Sequence, residues 1–280
     1  MPSIRIVYGI FSIFLLLACS EQSTESTPQE YTPTVKLTVT GSSTIAPLAA
    51  ELARRFEQKT PSVKIDVQTG GSSRGVSDVR QSVADIGMVS RALKVKEKDL
   101  SQHLIAFDGV SVIVNKNNPI KELSEEQIKA IYLGKIHNWK TLTGKDAVIT
   151  VVNKSESHST LEVFLNFFNL KSRNVKADTI IGDNEQAVKL VENNPNAIAY
   201  VSIGTAEYDI AHNSNIKTLP LHGVPASTAN LANQSFPLRR ELNMVTQGKM
   251  STAAKSFIAF VQSTEATSVI REFGFVPPQI

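Results

Sequence analysis

Residues 35–56 read VKLTVTGSSTIAPLAAELARRF. Val35, Leu37 and Val39 alternate with polar residues, the two-residue period of a half-buried strand. Gly41-Ser42-Ser43-Thr44 breaks that period. Ile45, Leu48, Leu52 and Phe56 then recur at helical spacing, and Pro61 lies just beyond the helix they predict. A strand, a short hydroxyl-rich turn and an amphipathic helix follow one another within about twenty residues, as in the first half of a β–α–β unit.

The same grammar continues outward. Val63, Ile65 and Val67 predict a second strand, which runs into Gly70-Gly71-Ser72-Ser73-Arg74-Gly75. Short β-branched runs predict strands at 86–89, 110–114, 148–152, 197–201 and 242–245. Helices are predicted to open near Ser124, with Glu125 and Glu126 in the first turn, and over 160–168 and 251–261. Strands alternating with helices predict an α/β fold with largely parallel sheets. There is no internal repeat.

Towards the N terminus the composition changes. The apolar run at 10–18 is preceded by Arg5 and closed by Cys19. It is short for a membrane span but suits the h-region of a signal peptide. Leu16-Leu17-Ala18-Cys19 resembles the lipobox of bacterial lipoproteins, so residues 1–18 are expected to be removed and Cys19 to carry lipid. A buried free thiol is disfavoured, because EQSTESTPQEYTPT at 21–34 has no aliphatic residue with which to build a core. Residues 19–34 are expected to form a disordered tether. As the only cysteine, Cys19 excludes an internal disulfide.

The remaining chain has ordinary globular composition, with 41% hydrophobic and 20% charged residues over the full 280. The formal net charge of +3 falls by one without the leader, and no Lys/Arg run occurs. That argues against a nucleic-acid partner. His103, His137, His212 and His222 lack metal-ligand spacing, and neither metal nor cofactor is expected.

Three segments repeat one design, in which a strand ends, small or hydroxyl residues follow and a helix starts. They are Gly41 to Thr44, Gly70 to Gly75 and Ser155-Glu156-Ser157-His158-Ser159-Thr160. Helix N-termini present unpaired N–H groups and the positive end of the peptide dipole. Hydroxyls add neutral donors, so each segment suits an anion. Each also suits an ordinary N-cap. Three together, with Arg74, Arg91 and Lys154 near strand ends, favour an anion site.

From about Val35 onward the chain resembles the phosphate-binding proteins of high-affinity ATP-binding-cassette (ABC) phosphate transporters. The resemblance rests on GSSTIAPLA (41–49), GGSSRGV (70–76), ADIGMVSR (84–91), FDGVSVIVNKNNP (107–119), IYLGKIHNW (131–139), AIAYVSIG (197–204), FPLRREL (236–242) and FVPP (275–278). It implies a two-lobed periplasmic-binding-protein type II fold with the ligand between lobes. Residues 35–114 and 219–280 would form lobe one and residues 115–218 lobe two.

The resemblance also implies a binding protein rather than an enzyme, a monomer that captures phosphate or a similar tetrahedral oxyanion for an ABC permease. Its place would be the bacterial cell envelope, anchored by lipid and facing the periplasm or exterior. Carried over by position, Ser43, Thr44, Ser72, Arg91, Lys154, His158, Ser159 and Thr160 are the expected ligands. Tyr132 and Trp139 are expected in the core, Asp85 as a turn-closing residue, and Asp108 as support for the cleft.

Two departures stand out. Lys154 replaces an arginine and loses the planar fork. His158-Ser159-Thr160 replaces Ser-Gly-Thr, so His158 either supplies an imidazole donor or faces solvent. These departures leave open a binding, sensing or adhesion module that keeps the fold without transport. Hydrolysis by a His158–Ser159 pair is disfavoured, because adjacent residues rarely face each other and no Gly-x-Ser-x-Gly elbow occurs.

Overall fold

Alternating β-branched and polar residues build the first strands, and the computed structural model, which describes residues 34–278, places them in one sheet. The chain runs through β1 (Val35–Gly41), α1 (Ala46–Lys59), β2 (Val63–Thr69), α2 (Ser72–Arg80), β3 (Ile86–Val89) and the long β4 (Ser101–Asn115). It continues with α3 (Glu125–Tyr132), α4 (Lys140–Thr143), β5 (Thr150–Lys154), α5 (Ser159–Phe167), β6 (Thr179–Ile181), α6 (Asn184–Asn193), β7 (Ala197–Ser202) and α7 (Ile203–Ala211). It ends with β8 (Ile216–Thr218), α8 (Thr228–Ala232), β9 (Arg239–Thr246), α9 (Thr252–Val261) and α10 (Thr264–Glu272). The expected leader, Cys19 and tether lie outside the described residues. Among the described residues no helix is long and apolar enough to cross a membrane.

The sheet order is β2-β1-β3-β9-β4-β7-β5-β6, with β8 against β4. Its outer parts are parallel, as expected: β1 pairs β2 and β3, and β5 pairs β6 and β7. Its middle is antiparallel, and here the expectation of largely parallel sheets is corrected. The first half of β4 pairs β9, and its second half pairs β7 and β8. These long strands carry the chain between two cores. A periodic pattern reports which face a residue occupies, not which way the neighbouring strand runs.

The first core gathers Leu37, Leu48, Leu52, Phe56, Met244 and Phe257. The second gathers Val110, Trp139, Phe164, Tyr200, Leu219 and Leu238. Tyr132 and Trp139 are fully buried in it, as expected. Each fully buried Leu, Phe or Met side chain in these cores contributes about 1.5–3 kcal/mol. The changeover falls between Ala106 and Val110 on β4 and between Leu238 and Leu242 on the return. The sequence bounds at 114/115 and 218/219 fall within the second core, because a sequence pattern marks where a strand lies and not where the chain passes from one core to the other. We place the lobe boundaries at these crossings.

Local chemistry sets the helix starts. Ser124 caps α3 by accepting from the Gln127 N–H, and the Gln127 side chain returns the bond, a reciprocal capping box. Asp85 accepts from the Thr38 N–H of β1 at 2.8 Å, so its side chain ties the loop before β3 to a neighbouring strand, where a turn-closing role was expected.

Candidate anion-binding site

The hydroxyl segments converge where the lobes meet. From lobe one come Ser42 and Thr44 before α1, Ser72 at the first position of α2, and Ser90 after β3. From lobe two come Ser159 and Thr160, the first two residues of α5. All six are buried. Ser42 Oγ donates to Ser90 Oγ at 2.8 Å, and Ser72 Oγ to Ser159 Oγ at 3.0 Å. Ser90 Oγ and Ser159 Oγ are 2.5 Å apart. Gly71, at φ +90°, permits the lobes to approach: a Cβ there would stand 2.1 Å from the Ser157 carbonyl oxygen.

Arg240 and Asp108 form the floor. They are direct partners on β9 and β4, at the crossing between lobes. Arg240 Nε and Nη2 donate to Asp108 Oδ2 at 2.9 and 2.7 Å, and Ser202 Oγ donates to Oδ1 at 2.9 Å. Both ions are buried, with side-chain exposures of 1% and 0%. Arg240 also donates to Thr160 Oγ1 at 2.8 Å and to Thr44 Oγ1 at 3.3 Å. The Asn184 amide, at the start of α6, reaches Thr44 Oγ1 at 3.4 Å. A threonine oxygen that accepts from a guanidinium keeps its own hydrogen for another partner. Thr44 and Thr160, one from each lobe, each therefore keep a hydroxyl hydrogen that the Arg240 bonds do not use.

Lys154 closes the lobe-two side. It is 3% exposed, and its Nζ donates to the Asp183 carbonyl at 2.7 Å. Its backbone N–H donates to the Tyr200 hydroxyl, which in turn donates to Asn153 Oδ1. The Tyr200 ring stacks on Phe164 at 3.9 Å, a pairing that adds about 0.5–1.5 kcal/mol beyond burial. Burial first, then the Arg240 guanidinium, hold the Lys154 ammonium down to about 7, against the pull of Asp183 and Glu185.

The structure thus brings together Thr44, Ser72, Lys154, Ser159 and Thr160 from the expected set. Ser43 is half-buried, and its neighbour Ser42 enters the hydroxyl cluster instead. Arg91 lies outside this set. Its Nη1 and Nη2 donate to the Glu97 carboxylate at 2.6 and 2.9 Å, so its fork is already occupied. Arg74 turns away, to Asp78, Gln68 and the Thr69 carbonyl. His158 is half-buried, and its Nδ1 lies 2.7 Å from Ser155 Oγ and 3.0 Å from Ser157 Oγ, within its own loop. Burial first and Lys154 second lower its proton affinity. Asp108 supports the cleft, as expected, through Arg240. Sequence reasoning missed Ser42, Ser90, Asn184 and Arg240. Ser90 and Arg240 lie inside ADIGMVSR and FPLRREL, where the resemblance could have found them.

A two-lobed α/β fold with buried hydroxyls, two cations and converging helix N-termini at the lobe junction defines the periplasmic-type anion-binding proteins. A family model described as the PBP superfamily domain matches residues 22–265. The phosphate-binding protein PstS of Bacillus subtilis (strain 168) is 30% identical over 263 residues, covering 92% of this chain and 85% of that one. Among solved structures, a phosphate ABC transporter substrate-binding protein from Clostridium perfringens, with bound phosphate, is 32% identical with a TM-score of 0.81, over 87% of this chain and 100% of that one. An ABC-type phosphate transport receptor from Vibrio cholerae is 31% identical with a TM-score of 0.72, over 86% and 100%. The chain belongs to the phosphate-binding PstS family within the PBP superfamily.

Proposed function

We propose that this chain captures inorganic phosphate outside the cytoplasm and hands it to an ABC permease, working as a monomer held to the membrane through lipid on Cys19. The observation that carries the reading is the relayed donor set: Arg240 donates to Thr44 and Thr160 on opposite lobes, which frees both hydroxyl hydrogens for one anion. Helix N-termini at Ser72 and Ser159 add dipolar attraction. An oxyanion bridging both lobes stabilises their approach, because it gains donors from each only when they meet. The names of the relatives support phosphate as the anion and an ABC transporter as the system served.

The test is calorimetric titration of the full chain in detergent with phosphate, arsenate, sulfate and molybdate. Phosphate should release binding heat and raise the Tm, since a ligand of the folded state stabilises it by mass action. No heat and no Tm shift with any oxyanion would overturn the reading in favour of a non-transport module. For the anchor, Cys19→Ser should leave the chain unprocessed or poorly membrane-bound. A mature, acyl-carrying membrane species of that variant would refute lipidation at Cys19.

A further inference from the structure

Beside the anion site lies a second charged cluster that touches none of its hydroxyls. Arg91, just after β3, is 4% exposed and held by the Glu97 fork. Its backbone carbonyl is fixed by the Asn243 side chain of β9 at 3.1 Å. The guanidinium is thus a rigid part of lobe one. Its remaining edge, Nε, lies 3.0 Å from Glu162 Oε2 of lobe two. The angle is poor for a hydrogen bond and Nε has no other partner, so the contact is coulombic. Lys94 Nζ, also from lobe one, lies 2.8 Å from the same Glu162 oxygen. Glu162 sits in the first turn of α5, two residues after Thr160.

We propose that Glu162 is a closure latch: it is drawn onto Arg91 and Lys94 when the lobes meet over the anion, and it sets how long the anion is held. The proposal rests on phosphate capture as read above. The first turn of α5 carries both the anion donors and the latch, so movement of α5 toward lobe one makes both sets of contacts together. When the lobes part, the Nε edge of Arg91 and the Glu162 carboxylate separate and return to water. When they meet, Glu162 gains two cationic partners at once, which offsets the cost of taking the Arg91 edge and the carboxylate out of water. Glu97 is the enabling residue, since it holds the guanidinium in place and leaves one edge over.

Affinity for a ligand of the closed state scales with the closed fraction. Losing Glu162 should therefore speed release rather than slow capture, the usual signature of contacts formed after encounter. We expect Glu162→Gln in the full chain to weaken phosphate binding about tenfold, the scale of two partly exposed ion pairs acting together. The dissociation rate should rise in proportion and the Tm without phosphate should stay unchanged. Lys94→Gln, at an exposed side chain, should speed release about threefold. The double variant should release phosphate little faster than Glu162→Gln alone, because the two residues act through one contact. A Glu162→Gln dissociation rate within twofold of the parent, or additive effects of the two substitutions, would overturn the latch. So would a lower Tm without phosphate and no change in release, which would make Glu162 merely structural. If the parent chain itself binds no phosphate, the proposed function falls and the latch with it.

Discussion

Arg240 and Arg91 are both buried arginines at the lobe junction, yet their surroundings assign them opposite work. Arg91 faces two carboxylates, Glu97 through its fork and Glu162 at its edge. With Lys94 also against Glu162, the cluster of two cations and two carboxylates is neutral overall and leaves an anion no net attraction. Arg240 has one carboxylate, Asp108, and two hydroxyl acceptors. Asp108 offsets its charge once, and Lys154 nearby adds another cation. Buried cations attract an anion when they outnumber the protein's own carboxylates. The surroundings of Arg91 therefore suit it to the proposed latch, and those of Arg240 suit it to the proposed anion site.

The sharpest way to break this comparison is to exchange both arginines. Arg240→Ala should lose phosphate affinity by about a hundredfold or more, since charged hydrogen bonds contribute about 1.5–3 kcal/mol each and the two threonine donors lose their orientation. It should also lower the Tm, because Asp108 would be left charged and unpaired. Arg240→Ala with Asp108→Ala should regain much of that stability and none of the affinity. Arg91→Lys keeps a cation between Glu97 and Glu162 and should bind within about fivefold of the parent. Titration calorimetry and thermal melts on the four chains decide it. Equal losses from Arg91→Lys and Arg240→Ala would mean that both arginines reach the anion.

Lys154 sharpens the electrostatic half of the contrast. Its ordinary value near 10.5 is depressed to about 7, by burial first and Arg240 second. The unfolded chain therefore binds this proton more tightly than the folded one. Stability without phosphate should rise as pH climbs from about 7 toward 10.5, and below about 7 the penalty for charging Lys154 is constant. A bound phosphate dianion reverses the balance and favours the ammonium. Above pH 7, binding should take up roughly one proton at Lys154. The check is calorimetry in two buffers of different ionisation enthalpy, comparing the parent with Lys154→Met at each pH so that phosphate's own ionisation cancels. Equal proton uptake by the two chains would show that Lys154 does not change charge on binding.

Much of the scaffold was legible because half-buried strands and amphipathic helices write their periods directly: 35–39, 63–67, 86–89 and 197–201 all lie in strands. The first half of β4 was not, because Gln102, His103 and Asp108 interrupt its alternation where the chain crosses between cores. Within the site, the three hydroxyl segments could be read, but not which hydroxyl turns inward. A turn has no period, so Ser42 and Ser43 look alike until the backbone decides. The choice between Arg91 and Arg240 was beyond local pattern altogether. It depends on Glu97, six residues from Arg91, and on Asp108, 132 residues from Arg240 in the chain.

His158 tests the mildest form of the contrast, between a side chain near the anion and one facing it. As a histidine where the family resemblance led us to expect serine, it invites the expectation that its charge strengthens binding as pH falls toward about 6. Its geometry argues otherwise. Nδ1 is engaged by Ser155 and Ser157 of its own loop, while the other edge of the ring lies near Gly182. Burial and the Lys154 ammonium both disfavour protonation, so in the free chain the ring stays neutral through most of the physiological range. Stability that depends on a neutral histidine is present above its ordinary value near 6.5 and declines as pH falls toward the lowered one. The parent should therefore lose Tm relative to His158→Ser on acidification. Phosphate affinities of the two chains should run parallel from pH 8 to 6 and differ by no more than about twofold, the scale of a surface substitution. Should the parent alone gain affinity at the acid end, the loop must rearrange to turn the imidazolium onto the anion, and His158 would join Arg240 and Lys154 among the groups that hold it.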